Sequence, residues 1–186
     1  MQYQNIHLIY FSPTHTSAKI AYAIAEALEA DTLSESDITH EGLKELLSMG
    51  GNELVIVAVP VYGGRVAETA MDRIRMFKGN ATPVIPVVVY GNRDYEDALK
   101  ELSDALSAQG FVPVSAGAFI GEHSYSRKDM PIAAGRPDKD DLLKASEFGS
   151  EILKKLDNVS TLTDLQPLEV KGNFPYKVKG PSTPQA

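Results

Sequence analysis

The run LVIVAVPVY, from Leu54 to Tyr62, constrains this chain more than any other stretch. A strand with one wet face alternates apolar and polar residues, whereas an apolar run without alternation belongs to a strand buried on both faces, as in a parallel sheet. Three other stretches share this character: IHLIYF from Ile6, TPVIPVVVYGN from Thr82 and FVPVSAGAFIG from Phe111. ADTLSES is polar enough to support only a short second strand. Helical spacing fills the intervals. Ile20, Ile24 and Leu28 form one inner face; Ala67, Ala70, Met71 and Ile74 form another, on a helix reaching about Phe77. Leu99, Leu102 and Leu106 line a helix over Asp94–Ala108 closed by Gly110, and Asp138–Leu156 reads as the last helix, opened by Pro137 with acids in its first turn. A further helix is expected from His40 to Met49, ended by Gly50 and Gly51, and Pro83 and Pro86 are expected to confine the start of the fourth strand to an edge or an irregular entry.

Strands alternating with helices imply an α/β fold: a doubly wound, five-stranded parallel sheet with right-handed crossovers and strand order 2-1-3-4-5. The expected organisation is one domain over residues 1–158 and an extended Pro- and Gly-rich tail over 159–186. In such sheets a ligand lies beyond the carboxyl ends of the strands, between the first and third, where strand order reverses.

Whole-chain properties narrow the chemistry. The 186 residues contain no cysteine, which removes thiolate metal sites, cysteine nucleophiles and iron-sulfur clusters from this chain; redox chemistry would need a bound organic cofactor. A net charge of −7 argues against a nucleic-acid partner and for docking to a basic surface. With no long apolar run and no charged, apolar leader in MQYQN, the expectation is a cytoplasmic protein without a membrane partner.

The polar loops fall where the fold would place a ligand. SPTHTS, after strand one, sets the hydroxyls of Ser12, Thr14, Thr16 and Ser17 at a helix N-terminus, whose amides lack intrahelical partners and carry partial positive charge. That is a phosphate cradle. It has no Lys or Arg to stabilise a transferring phosphoryl group, so it should hold phosphate without cleaving it. Ordinary N-capping by the same hydroxyls is the competing reading. PVYGGR offers Pro60, Tyr62, Gly63 and Gly64; YGNRDY offers Tyr90, Gly91, Asn92 and Tyr95; GEHSYS opens on the same edge. Tyrosines beside bare amides suit a planar heteroaromatic ring, or merely cover the sheet end.

The segments FSPTHTSAKIA, VPVYGGRVAETAMDRI, VVYGNRDYEDAL and GAFIGEHSYSR with IAAGRPDKDDL resemble the flavodoxin-like domain of the ferredoxin-linked (EFR-type) flavodoxins, and the flavodoxins more broadly, over about Ile6 to Leu156. The resemblance implies an FMN site, with Ser12, Thr14, His15, Thr16 and Ser17 at the phosphate. It places Pro60, Val61, Tyr62, Gly63, Gly64 and Arg65, and Tyr90, Gly91, Asn92, Arg93 and Tyr95, around the isoalloxazine ring. His15 stands where the family pattern has Gly, the position that sets the loop's backbone angle. GNFPYKVKG, Gly172 to Gly180, resembles the linker that leads, in longer relatives, to a ferredoxin module. Without cysteines, electrons would pass to a separate redox partner protein, a ferredoxin or a reductase, from a monomer or weak dimer.

The implied activity is electron transfer, with the protein setting the potential of the flavin. The backbone at Gly63 or Gly64 is the candidate peptide that reorients towards flavin N5. The long connection from Gly121 to Pro137, with His123, Ser124, Tyr125, Arg127, Lys128 and Arg136, either flanks the flavin and receives a partner or is a solvated loop. The alternatives are a flavin-dependent quinone or nitro reductase, and a flavin-free binding module on the same scaffold.

Overall fold

The computed structural model describes Met1 and residues 3–178. Along the chain come β1 (Asn5–Tyr10), α1 (Thr16–Glu26), β2 (Thr32–Asp37), β3 (Leu47–Met49) and β4 (Glu53–Tyr62). Then follow β5 (Arg65–Val66), α2 (Glu68–Ile74), β6 (Phe77–Gly79), β7 (Thr82–Tyr90) and α3 (Ala98–Ala108). The last elements are β8 (Phe111–Pro113), β9 (Gly117–Ile120), α4 (Lys139–Asp157) and a 3₁₀ turn at Leu162–Asp164.

The main sheet runs β2-β1-β4-β7-β8, all parallel. β9 continues β8 along β7, so the two are halves of the expected fifth strand, and the order is the 2-1-3-4-5 of the sequence reading. Burial explains the apolar runs. Ile6, Leu8 and Tyr10 of β1 and Leu54, Ile56 and Ala58 of β4 pack in one core with Ile20 and Ile24 of α1 and Ala145 and Ile152 of α4. The alternate residues Ile9, Val55, Val57 and Val59 pack in a second core with Ala70, Ile74, Leu99 and Leu102 from α2 and α3. Each central strand therefore has two dry faces, and the hydrophobic effect, about 25 cal/mol per Å² of buried apolar surface, acts on both.

Two expectations are corrected. Strand β7 is central rather than an edge, because each proline points its missing N–H where no ladder bond is made. Pro83 precedes the first β4 pair, Val55 with Val84. The Val84 carbonyl accepts from the Val114 amide, so the same-sided Pro86 faces strand five, in the gap between the β8 pairs, ending at Val84, and the β9 pairs, starting at Val87. Pro60 obeys the same rule in β4, its amide side facing β1 beyond the last β1 pair at Ala58.

The segment from His40 to Met49 forms no helix. Arg73 Nη1 donates to the carbonyls of Ile38 and Thr39 at 2.7 and 2.6 Å, and Leu47–Met49 pairs with β6 as a two-stranded parallel ribbon. Leu46 and Leu47, apolar at helical spacing, are 53% and 37% exposed, so no core face was available to reward the helix.

After the 3₁₀ turn the chain crosses to the N-terminus of α3. The Asp97 carboxylate accepts from the amides of Asn173 and Lys177 at 2.8 and 2.6 Å and from Asn173 Nδ2 at 3.1 Å. Tyr176 donates to Asp104 at 2.7 Å and lies beneath the Arg65 guanidinium, 4.9 Å from ring centre to Cζ. The end of the segment resembling a ferredoxin linker, Lys179 and Gly180, lies outside the described residues.

Candidate functional site

Four strand-to-helix connections open on the carboxyl edge, and together they enclose one cavity. A slot of about 80 Å³ runs from Thr14 and Thr16 past Pro60 to Gly121 and Glu122. It adjoins a cleft of about 570 Å³, walled by Val61 to Gly64, by Tyr90, Gly91, Arg93 and Asp94, and by His123 to Tyr125. Val61, Tyr62, Tyr90, Gly91, His123 and Ser124 border both spaces, which makes them one channel leading from the start of α1 to the rim. Its size suits a small organic ligand.

The inner end is built by the loop Ser12–His15. Ser12 is buried; its amide donates to Thr39 Oγ1 at 2.9 Å and its Oγ accepts from the Ala18 amide at 3.0 Å, which closes the loop on the helix. Its role is internal. His15 takes the left-handed conformation, φ 60°, so the loop turns as a glycine would allow. His is among the few non-glycine residues enriched there. His15 lines a separate groove between α1 and α4, with Tyr22 and Leu142, and does not line the channel.

Helix α1 then begins with no capping side chain and no acid in its first turn. The amides of Thr14, Thr16 and Ser17 have no hydrogen-bond partner among the described residues. Thr14 and Thr16 hydroxyls lie 3.3 Å apart at the slot, and Ser17 Oγ is fully buried and unpartnered. A buried hydroxyl without a partner costs about 1–3 kcal/mol. Helix dipole, open amides and the two threonine hydroxyls that line the slot favour one kind of guest, an anion with several acceptor oxygens; Ser17 lies behind them and does not line it.

The outer end combines aromatic surface with close backbone. Tyr62 is half exposed at the mouth. Tyr90 meets Tyr95 edge-on at 5.4 Å, and Lys171 of the C-terminal segment sits 4.6 Å over the Tyr95 ring. Tyr95 thus backs the wall and does not line it. Asn92, at φ 60°, shapes the 90–94 turn without lining the cleft. A Cβ on Gly91 would strike the His123 ring at 2.3 Å, so glycine there admits the imidazole. Arg65, expected at the ring, faces away: it forms a two-point ion pair with Glu101 at 2.6 and 2.8 Å and donates to the Lys177 carbonyl at 2.7 Å.

The channel is lined by two carboxylates, Asp94, which is paired with Lys171 at 2.9 Å, and Glu122. The Glu96 amide, then Lys171, holds the Asp94 carboxyl below its ordinary range; the Gly135 amide, then Ser126, does the same for Glu122. Arg93 is the only cation among the described lining residues, and it is paired with Glu96. Asp94, Glu122, Gly121 and Thr39 were not singled out from sequence. Gly121 alone carried a local signal, closing an apolar strand; a Cβ there would meet Val89 Cγ1 at 2.7 Å. Among the described residues no cluster of metal-binding side chains occurs and no helix is long and apolar enough to cross a membrane.

No family model and no curated protein matches this chain. Solved structures do. A flavodoxin from the domain Archaea is 15% identical at a TM-score of 0.51, covering 83% of this chain and 99% of its own. The flavodoxin of Streptococcus pneumoniae TIGR4 is 17% identical at 0.52, covering 81% and 99%. The apo form of the NADH:FMN oxidoreductase EmoB is 15% identical at 0.54, covering 88% and 95%. At these identities the likeness shows the fold, which is flavodoxin-like.

Proposed function

We propose that this chain binds FMN in the channel and serves as an electron carrier, in the manner of the ferredoxin-linked flavodoxins whose loops it resembles. The observation that carries the reading is the unfilled N-terminus of α1 at the closed end of a channel whose open end is walled by Tyr62, Tyr90 and Gly91. One end asks for an anion and the other for a flat ring, and FMN joins the two in one molecule.

The residues divide the work. Thr14, Thr16 and Ser17 hold the phosphate through hydroxyls and amides, neutral donors that need no counter-cation. Tyr62 and the 90–94 and 121–125 turns hold the ring. Bound FMN supplies reversible electron uptake that no side chain of this chain can provide. The protein sets the cost of that uptake: Glu122, held as a carboxylate by neutral donors, opposes added negative charge and lowers the potential, whereas Asp94 is offset by Lys171. Gly63 has φ +63° and open space where a Cβ would stand, whereas Gly64 is covered by Glu96. Gly63 is therefore the residue of this turn free to change conformation with oxidation state. The redox partner is a separate protein, a ferredoxin or a reductase, docking at the open rim.

Titrating the purified protein with FMN and with riboflavin tests the reading. The expected result is a flavin spectrum perturbed by binding and at least tenfold weaker riboflavin affinity, with Thr16→Val weakening FMN alone. Equal affinities would remove the phosphate site. Steady NADH-dependent reduction of a quinone would replace the carrier with a reductase.

A further inference from the structure

The connection between β9 and α4 carries an imidazole whose tautomer is set by its own backbone. His123 Nδ1 accepts a hydrogen bond from the Tyr125 amide at 3.0 Å. A ring nitrogen that accepts carries no proton in the neutral imidazole, so the proton lies on Nε2. Nε2 has no hydrogen-bond partner among the described residues, and the ring borders both parts of the channel.

The ring is also held in place. Its Cδ2 edge, next to Nε2, rests against the Gly91 α-carbon so closely that a Cβ would stand 2.3 Å from it. The His123 amide donates to Ile132 at 3.2 Å, its carbonyl accepts from Ser126 at 2.8 Å, and the Tyr125 ring lies 5.2 Å away at 41°. Such anchoring suits a donor aimed at a ligand better than a solvated side chain, which gains nothing from a fixed tautomer.

We infer that His123, through Nε2–H, donates a hydrogen bond to an acceptor on the polar edge of the ring bound in the channel, and so favours the reduced, electron-richer ring over the oxidised one. The assignment rests on the FMN reading above. A neutral donor's hydrogen bond strengthens as its acceptor gains negative charge, so the preference should approach tenfold.

The test compares wild type, His123→Leu and His123→Gln. The leucine variant should bind reduced FMN about tenfold less well relative to oxidised FMN than wild type does, which corresponds to a two-electron potential about 30 mV lower. Glutamine, whose side-chain amide keeps an N–H near the place of Nε2, should restore at least half of that ratio. Nitrogen-15 spectra of the histidine ring in the FMN-free protein should show the Nε2–H tautomer, with the Nε2 signal moving on FMN addition. FMN bound with a ratio within twofold of wild type in both variants overturns the inference, as does an Nδ1–H tautomer. A wild-type protein that takes up no FMN instead overturns the cofactor reading, and the flat titration tells that failure apart.

Discussion

Two helices begin on the same edge of the sheet and are finished in opposite ways. Helix α4 is completed by its own sequence: Asp138 Oδ1 accepts from the amides of Asp140 and Asp141, Asp141 returns a bond to the Asp138 amide at 3.0 Å, and Arg136 pairs with Asp141. Helix α1 has three hydroxyl residues in the corresponding place, yet no acid in the first turn and no cap. The same backbone feature is thus filled in one case and left open in the other. Hydroxyl-rich loops are common at helix starts; what marks a ligand site is donors that remain unspent after folding.

The strongest way to break that contrast is to make α1 resemble α4. Thr16→Asp places a carboxylate where the phosphate is expected, satisfies the dipole and repels the ligand. FMN affinity should fall about 100-fold, roughly 2.7 kcal/mol, while the melting temperature holds or rises. Calorimetry with FMN and a thermal melt measure both. Undiminished affinity would mean that the phosphate binds elsewhere.

The converse change spoils α4. Asp141 is nearly buried beside a partly exposed Arg136, so Asp141→Asn should cost about 2 kcal/mol in urea unfolding while FMN affinity stays within twofold. The pH dependence has a definite sign. Arg136, more than the Asp138 amide, holds the Asp141 carboxyl below its ordinary 3.8. A folded value below the unfolded one means that the stabilisation is complete above about pH 4 and is lost as pH falls through the folded value. Acid unfolding curves should therefore be steeper below pH 4 for wild type than for Asp141→Asn. Parallel curves would assign the acid sensitivity to another carboxylate, with Asp97, which accepts from the Lys177 and Asn173 amides, the next candidate.

The contrast also explains which parts of the molecule were legible in the sequence. The central strands and the start of α1 announce themselves locally, through apolar runs and helical spacing, and the order of the sheet follows from the fold class that their alternation implies. The crossing of the C-terminal segment over the N-terminus of α3 does not announce itself: Asp97 and Lys177 are eighty residues apart, and nothing near either states that one will saturate the other. Arg65 belongs to a tyrosine-bearing loop in sequence, but Glu101 of α3 and Tyr176 of the C-terminal segment claim it. The helix expected over His40–Met49 failed because its apolar residues found no core face and β6 offered the backbone of Leu47–Met49 a partner. Prolines misled for a related reason. Their cost depends on which way the missing donor would have pointed, and register decides that.

The smallest expected effect concerns the residue that most nearly contradicts an open α1. His15 adopts φ 60°, a conformation that costs an L-residue about 1–2 kcal/mol, and it lines the groove beside α4 instead of the channel. His15→Gly removes the strain and adds freedom to the unfolded chain, two changes of opposite sign whose balance favours the variant by about 0.5 kcal/mol. Because the loop already has the turn that glycine would give, FMN affinity should change less than threefold. A larger gain in affinity would show that the wild-type loop is held away from its binding geometry, and a larger loss would put the imidazole on the phosphate, with the ring swung out of its groove. Titrations of both proteins with FMN, read beside their urea midpoints, separate strain in the loop from contact with the ligand.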